Sequence, residues 1–159
     1  MLSAHLIKIR RSVVFILVIA LAGCSSAPPE HKENICKIFS EKKGWYKDAK
    51  KSSRRWGTDI SVMMSMMYQE SSFMARAKPP RTKILWVLPG PRPASAYGYA
   101  QATNATWRAY QSATGRGGAD RNKFDDAIDF IGWYNDQSQR KNKISKSNFK
   151  YSNLFFACS

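Results

Sequence analysis

The sequence predicts a mainly α-helical domain, and three observations lead to this prediction. Apolar residues recur at intervals of three and four over much of the chain after residue 33, which is the spacing of a helix face. All seven prolines lie in two places, two at 28–29 and five within 79–93, so the remaining segments lack the strongest helix breaker. The sequence has no alternating stretch long enough to predict a strand, and it has no internal repeat.

Composition limits the protein to one folded domain, alone or with a tail. Its 159 residues are 43% hydrophobic and 13% aromatic, which suffices for a packed core and excludes a wholly disordered chain. The 26 Lys and Arg residues exceed the 11 Asp and Glu residues by 15. This charge predicts an anionic neighbour, and by itself it leaves nucleic acid, a membrane surface and an acidic polymer open.

The first 24 residues read as a secretory leader. Lys8, Arg10 and Arg11 precede an apolar run over 13–22. The run has about ten residues, whereas a bilayer span needs about 20. It ends in Leu-Ala-Gly-Cys at 21–24, which resembles the bacterial lipobox, with small residues before a thiol that would accept a lipid. The alternative is an ordinary signal peptide with a chance cysteine.

This interpretation divides the chain into three parts. Residues 1–23 are a lipoprotein signal peptide, Cys24 and the polar segment to residue 33 are a lipidated tether, and 34–159 are the domain. The processed chain has 23 basic and 11 acidic residues, a formal charge of +12. Ser25 is not the Asp that usually retains such lipoproteins at the inner membrane, so we expect an outer-membrane anchor facing the periplasm. Cys36 and Cys158 would either pair or stay free thiols.

Capping residues and apolar spacing predict three helices before the second proline group. Asn34 caps the first helix, Gly57 ends the second, and Thr58 or Asp59 caps the third. Their apolar positions are, in order, Ile35, Ile38 and Phe39; Trp45, Ala49 and Trp56; and Ile60, Met63, Met64 and Met67.

Two further helices and an apolar segment follow the second proline group. A fourth helix runs from about Thr103 to Ala113 and stops at Gly115, and a fifth starts near Asp125. The last segment, 148–157, is apolar near its end. The positions predicted to face inward are Trp107 and Tyr110 on the fourth helix and Ala127, Ile128, Ile131 and Tyr134 on the fifth.

Glu70 is the leading candidate for chemistry. It lies three residues beyond Met67 and seven beyond Met63, and therefore on the apolar stripe of its helix. Partial removal of water from a carboxyl raises its pKa, which suits a general acid working near neutral pH. The alternative is a solvated glutamate at a fraying helix end.

Two motifs resemble one enzyme family. Tyr-Gln-Glu-Ser-Ser-Phe at 68–73 resembles the Glu-Ser-x-Phe signature of lytic transglycosylases of the goose-lysozyme-like type. Ala-Tyr-Gly-Tyr-Ala-Gln at 96–101 resembles the second motif of that family, in which Gly and Gln close on the substrate cleft. The stretches at 34–39 and 127–135 look like a lipoprotein branch of these enzymes, and the similarity covers residues 34 to about 156.

The resemblance implies a lysozyme-like domain that cleaves the MurNAc–GlcNAc β-1,4 bond of peptidoglycan and leaves a 1,6-anhydro end. In this family one glutamate transfers both protons, which would be Glu70. From the residues themselves we expect no metal and no other cofactor. The resemblance also implies that Ser71 and Gln101 hydrogen-bond the substrate or Glu70, and that Tyr97 and Tyr99 stack on sugar rings or pack in the core. The full set of expected substrate-binding residues is Ser71, Ser72, Tyr97, Gly98, Tyr99 and Gln101.

No other carboxylate stands in an obvious partner motif for Glu70. The remaining candidates are interpreted as caps and solvated charges at helix starts; they are Asp59, Asp120, Asp125, Asp126 and Asp129.

The loop over 76–95 and the end of the chain depart from a plain helical domain. The loop has five prolines, five basic residues and an apolar patch at 84–88, so it would form a cleft wall whose cations meet peptide-stem carboxylates or anionic lipid. The alternative is a solvated loop with a hydrophobic anchor.

The family has a third motif of the Ala-Tyr-x-x-Gly type, but here 153–159 places Cys158 where the Tyr is expected. We therefore expect a truncated or divergent C-terminus, and a catalytically impaired peptidoglycan-binding lipoprotein is the alternative function.

Other partners find little support in the sequence. A secreted chain meets little nucleic acid, and no motif for binding it is present. His5 lies in the leader and His31 in the tether, so neither joins a metal-ligand cluster. Gly-Arg-Gly-Gly at 115–118 lacks the Lys-Ser/Thr of a phosphate-binding loop. The expected partners are peptidoglycan strands and the membrane, and the sequence identifies no envelope-spanning complex.

Overall fold

The computed structural model describes residues 27–81, 83–84, 88–89 and 94–142. The regular elements in this part of the chain are helices and one short antiparallel pair of strands, which confirms the predicted mainly α fold class. The helices are α1 (Ile35–Glu41), α2 (Trp45–Trp56), α3 (Ile60–Ser71), α4 (Asn104–Thr114) and α5 (Phe124–Asn142). The strands β1 (Lys83–Ile84) and β2 (Leu88–Pro89) pair Lys83 with Pro89 and Ile84 with Leu88.

Most helix ends lie where the sequence predicts them, because the stopping signals are local. The Asn34 side chain accepts hydrogen bonds of 3.0 and 3.1 Å from two backbone N–H groups in the first turn of α1. Thr103 caps α4 in the same way at 3.2 Å. Gly57 and Gly115 end α2 and α4 in the left-handed conformation, which glycine adopts without steric cost.

Neither of the two predicted capping residues of α3 makes a side-chain capping hydrogen bond at its start. Asp59 occupies the capping position, but its side chain makes no capping hydrogen bond. The Thr58 hydroxyl is buried and accepts a hydrogen bond of 3.0 Å from the Asn135 side chain. Thr58 thus joins the start of α3 to α5 rather than capping α3.

The central helix is α5, and its most extensive helix contact is with α2. A Cβ atom at Gly132 would lie 2.6 Å from Ser52 Oγ and 2.7 Å from Trp56 Cδ1, so only glycine allows the two helices to approach this closely. The Ser52 hydroxyl donates to the Ile128 carbonyl at 2.9 Å. Helix α2 is therefore attached to α5 by both packing and a buried hydrogen bond.

Two clusters of aromatic rings hold the ends of the core. Trp107 and Tyr110 of α4 pack on Phe130 of α5, with ring centres 5.2 and 5.5 Å from that of Phe130. At the other end Trp45 stacks on Phe124 at 3.9 Å, which joins the starts of α2 and α5. Such contacts stabilise beyond the area they bury.

Asp129 is buried, and the interpretation of it as a solvated charge is wrong. Only 4% of its surface is exposed. Its carboxylate accepts hydrogen bonds from Trp56 Nε1 at 3.0 Å and from the Tyr110 hydroxyl at 2.8 Å, and it forms an ion pair of 2.8 Å with Arg116. Burial and this hydrogen bond raise the pKa of Tyr110, so its hydroxyl stays a donor.

Asp126 is also buried, with 6% of its surface exposed, although it too was expected in solvent. It accepts from Arg116 Nη2 at 2.7 Å and from the backbone N–H of Asp120 at 2.9 Å. The local sequence could not predict this burial, because Arg116 comes from the loop that follows another helix. Asp125 is exposed as expected.

One further prediction fails, and several predicted features lie outside the described residues. Tyr134 was predicted to be buried, but 46% of its surface is exposed. The leader, Cys24, the apolar segment over 148–157 and the third-motif position lie outside the described residues, and the domain bounds stay predictions. Cys36 takes part in a disulfide, and its pairing with Cys158 stays a prediction. Among the described helices none is long and apolar enough to cross a bilayer.

We predict that Asp129→Ala lowers the free energy of unfolding by roughly 3 kcal/mol, because four donors lose their shared acceptor and one of them, the Tyr110 hydroxyl, is buried. Asp125→Ala is the matched control, since it removes an exposed carboxylate from the preceding turn of the same helix, and we expect a change within about 0.5 kcal/mol. Urea unfolding of both variants measures the difference. Equal losses for the two would contradict the description of Asp129 as a buried junction.

Candidate active site

Glu70 lies in the last turn of α3, at the meeting point of two cavities. The first, called here the helix cavity, has a volume of about 180 Å³. The second, called the loop cavity, has a volume of about 440 Å³. The helix cavity is lined by Met66, Glu70, Ala100, Gln101, Ala102, Thr103, Thr106, Phe130, Ile131 and Tyr134. The loop cavity is lined by Gln69, Glu70, Ser71, Ser72, Met74, Ala77, Lys78, Pro79, Pro80, Ala96 and Gln101.

The Glu70 carboxyl stands apart from other charges. Within the described residues, no hydrogen bond or ion pair reaches it. Although the residue as a whole is exposed, the apolar walls remove part of the water around the carboxyl, and this desolvation raises its pKa. A carboxyl in this environment keeps its proton to higher pH than a solvated glutamate, as the position of Glu70 on the stripe predicts.

Gln101 lines both cavities beside Glu70, and its side chain is fixed by backbone carbonyls. Its Nε2 donates to the Ala77 carbonyl at 2.9 Å and to the Gly98 carbonyl at 2.8 Å. Both amide hydrogens are used in this way, and no described residue donates to Oε1. The side chain is therefore fixed by its Nε2 group, and its Oε1 keeps its capacity to accept a hydrogen bond.

Gly98 allows the chain to fold back under Gln101. Its φ is +80°, and its N–H donates to the Ala77 carbonyl at 3.0 Å. A Cβ atom at this position would overlap the backbone carbonyl of Arg121. That same carbonyl accepts from the Tyr99 N–H at 3.1 Å. Gly98 thus shapes the cleft wall through the backbone rather than through a side chain.

A family model for the transglycosylase SLT domain matches residues 12–158. The chain belongs to this family. Membership makes it a relative of the lytic transglycosylases, which are peptidoglycan-degrading lyases, and confirms the predicted family. No curated protein and no solved structure matches the chain.

The two serines of the first motif occupy different environments in this SLT domain. Ser71 is buried, and its hydroxyl donates to the Met67 carbonyl one turn earlier at 3.1 Å. Ser72 ends α3 with a φ of +50°, and Phe73 follows with a φ of +61°. With Gln101 at +46°, these are the non-glycine residues of the described chain with positive φ. Ser72 and Phe73 follow Glu70 within three residues, and Gln101 lines both cavities with it, so the strained backbone lies close to this carboxyl.

The two tyrosines of the second motif both interact with protein groups. The Tyr97 ring lies 5.6 Å from Lys78 Nζ and 5.4 Å from the Arg121 guanidinium carbon. Tyr99 is 3% exposed and makes edge contacts with the rings of Trp45 and Phe124. Tyr99 therefore follows the core-packing alternative, and neither tyrosine lines the two cavities beside Glu70.

Tyr134 is the exposed one of two aromatic residues that line the helix cavity, the other being buried Phe130. Its ring stacks on Phe130, with the centres 5.9 Å apart and the planes inclined by 20°. The helical stripe of Ile131 predicts the direction in which Tyr134 points, but the core ends before reaching it. Tyr134 and Glu70 share one sequence feature: each is a large residue at the end of an apolar stripe. That feature could have indicated a side chain at the edge of the core.

We predict that Gly98→Ala lowers the free energy of unfolding by roughly 1–3 kcal/mol or more, because it forces a positive φ on alanine and displaces the Arg121 carbonyl. Gly118→Ala is the matched control, since a Cβ there meets nothing within 4 Å and φ is not positive. Urea unfolding compares the two variants. A Gly98 variant as stable as the Gly118 variant would contradict the close approach described above.

Proposed function

We propose that the protein is a lytic transglycosylase that cleaves the MurNAc–GlcNAc β-1,4 bond of peptidoglycan, with Glu70 as its single general acid and base. The observation that carries this proposal is the position of the Glu70 carboxyl between two cavities, with a pKa raised by desolvation. A glycan strand lying in both cavities would present a glycosidic oxygen to that carboxyl.

In the first step protonated Glu70 gives its proton to the glycosidic oxygen. The bond between this oxygen and C1 of the muramyl ring breaks, and the GlcNAc side leaves with a free hydroxyl. Positive charge develops at C1, and Glu70 is now a carboxylate. The raised pKa supports this step, because it keeps the acid form available nearer to neutral pH.

In the second step the Glu70 carboxylate takes the proton of the muramyl C6 hydroxyl, whose oxygen bonds to C1 of the same ring. The product is a 1,6-anhydro end, Glu70 regains its proton, and no water is consumed. The nucleophile belongs to the ring that it attacks, so it is already close to C1 and needs no second carboxylate to activate it.

The lining of the cleft supports this one-carboxylate chemistry. Glycosidases that use water generally place a second carboxylate near the bond. Of the described residues that line either cavity, Glu70 alone is acidic. We assign Gln101 Oε1 as an acceptor for a sugar hydroxyl and Tyr134 as the surface on which a sugar ring stacks, while Lys78 offers a cation to a peptide-stem carboxylate.

We predict that the purified protein releases 1,6-anhydro muropeptides from sacculi and that Glu70→Gln abolishes the release, because glutamine can neither give nor take the proton. Mass spectrometry of the soluble products measures this. Glu30→Gln removes an exposed carboxylate from the tether and is the matched control, expected to leave the release unchanged.

Two outcomes would contradict the assignment. Release that survives Glu70→Gln would mean that another group transfers the proton. Binding to sacculi with no release by the wild-type chain would favour the alternative function, a glycan-binding lipoprotein of the same fold.

We also propose that Cys24 carries the lipid and holds the domain at the outer membrane, facing the periplasm. The lipobox-like residues 21–24 and the short polar tether support this. The prediction is that the chain extracted from membranes has the mass of a lipidated protein beginning at Cys24, and that Cys24→Ala prevents both the processing and the membrane association. An unmodified soluble chain in the periplasm would contradict it.

A further inference from the structure

The outward side of α2 is a basic face, defined here by Lys47, Lys50, Lys51 and Arg54. All four side chains are exposed. At about 100° per residue they lie opposite the positions that α2 buries, Ala49 and Ser52. The position of these cations is therefore set by the packing of the helix and does not depend on a loop.

The basic face has four cations, and Asp48 of the same helix interacts electrostatically with two of them, Lys47 and Lys51. In the described part of the chain none of its four cations forms a salt bridge, whereas the next residue, Arg55, pairs with Asp129 at 3.3 Å. The nearest acids stand to its sides. Asp48 lies at the flank that turns toward Asp125, and Glu41 lies at the end of α1, where it accepts from the Glu30 N–H at 2.8 Å.

The described end of the tether lies at the junction of α1 and α2, next to the helix that carries the basic face. Lys42 Nζ donates to the Ala27 carbonyl at 2.6 Å, which fixes the tether at the junction of α1 and α2. Tyr46, half exposed, continues the surface from that junction to the basic face. Its ring centre lies 5.4 Å from that of Phe39 and 5.5 Å from Lys50 Nζ. Cys24 precedes Ala27 by three residues, a reach of about 10 Å at most.

The active-site cleft lies on the other side of α5 from α2. Ile128, Asp129 and Gly132 of α5 meet α2. Phe130, Ile131 and Tyr134 line the helix cavity. At about 100° per residue the centres of these two sets are roughly opposite each other around the helix. A flat surface that touches the basic face would thus leave the cleft facing away from it.

We propose that the basic face binds the anionic phospholipid headgroups of the membrane that holds the lipid anchor, and that this contact turns the cleft away from the bilayer. The inference uses the proposed lipidation of Cys24 for its geometry, and it is independent of the glycan chemistry. A lipid chain supplies membrane affinity, whereas clustered cations add attraction to anionic headgroups. Exposed Tyr46 is an aromatic residue suited to the headgroup region.

The test is lysine acylation of the full-length chain, processed by its own leader and reconstituted into vesicles. One set of vesicles is phosphatidylcholine alone and the other also contains phosphatidylglycerol. We expect the acylation of Lys47, Lys50 and Lys51, measured by mass spectrometry, to fall several-fold on the anionic vesicles and to recover at high salt. Lys78, beside the cleft, and Lys141, near the end of α5, are exposed internal controls whose acylation should not change.

A charge-matched pair of variants isolates the basic face. The triple variant Lys50→Glu, Lys51→Glu and Arg54→Glu should abolish the effect of lipid charge on acylation. The acylation of Lys47, which the variant keeps, measures this. The control Arg76→Glu, Arg108→Glu and Lys141→Glu makes the same change in net charge at exposed positions outside α2 and should keep the effect. Equal melting temperatures and circular dichroism spectra establish that both variants are folded.

Several results would overturn the proposal. If the lysines of the basic face are acylated equally on both kinds of vesicle, the proposed contact with anionic headgroups is contradicted. Protection of Lys78 instead would mean that the cleft side faces the bilayer. Loss of sacculus binding by the α2 variant, with unchanged acylation on vesicles, would assign the basic face to an acidic wall polymer. Absence of 1,6-anhydro products with the acylation pattern as expected would contradict the proposed enzyme activity alone.

Discussion

The buried carboxylate of Asp129 is the junction on which the positions of three segments depend. It accepts hydrogen bonds from Trp56 at the end of α2 and from Tyr110 of α4, and it pairs with Arg116. Gly132, three residues later on α5, lets α2 pack against the same helix. A buried carboxylate is unfavourable unless its acceptor sites are filled, so the three segments must meet at this point. The cleft on one side of α5 and the basic face on the other are consequences of that arrangement.

The cleft itself depends on backbone conformation more than on side-chain charge. The turn after α3 contains two residues with positive φ, Ser72 and Phe73, and the opposite wall contains Gly98 and Gln101, also with positive φ. These turns bring the Ala77 carbonyl under both the Gly98 N–H and the Gln101 amide. Glu70 is left in a partly apolar environment with no described charge partner, and desolvation alone raises its pKa. Chemistry that needs one proton donor fits such an environment.

The sequence predicts those features that depend on neighbours along the chain. The ends of α2 and α4 follow from Gly57 and Gly115, and the apolar stripe of α3 leads to Glu70, because capping and helical spacing are local properties. Asp126 and Asp129 look like ordinary charges at a helix start. Their burial depends on Arg116, which follows another helix and approaches them only in the folded chain.

The tyrosines also show that burial cannot be predicted from local sequence alone. Helical or motif spacing tells which way a side chain points, but it does not tell where the core ends. Tyr99, in a motif expected to face substrate, is enclosed by Trp45 and Phe124, whereas Tyr134, expected in the core, stands at the cavity beside Glu70. The extent of a core is decided by residues from several elements. The burial of Tyr99 and the exposure of Tyr134 could therefore be found only in the structure.

The proposed one-carboxylate reaction is tested most directly by the fate of water. Sacculi digested in water labelled with oxygen-18 would give muropeptides whose new ends are analysed by mass spectrometry. The proposed reaction predicts 1,6-anhydro ends without the label, because the attacking oxygen belongs to the muramyl ring. New reducing ends that contain oxygen-18 would mean that water attacks C1, and would contradict the mechanism assigned to Glu70.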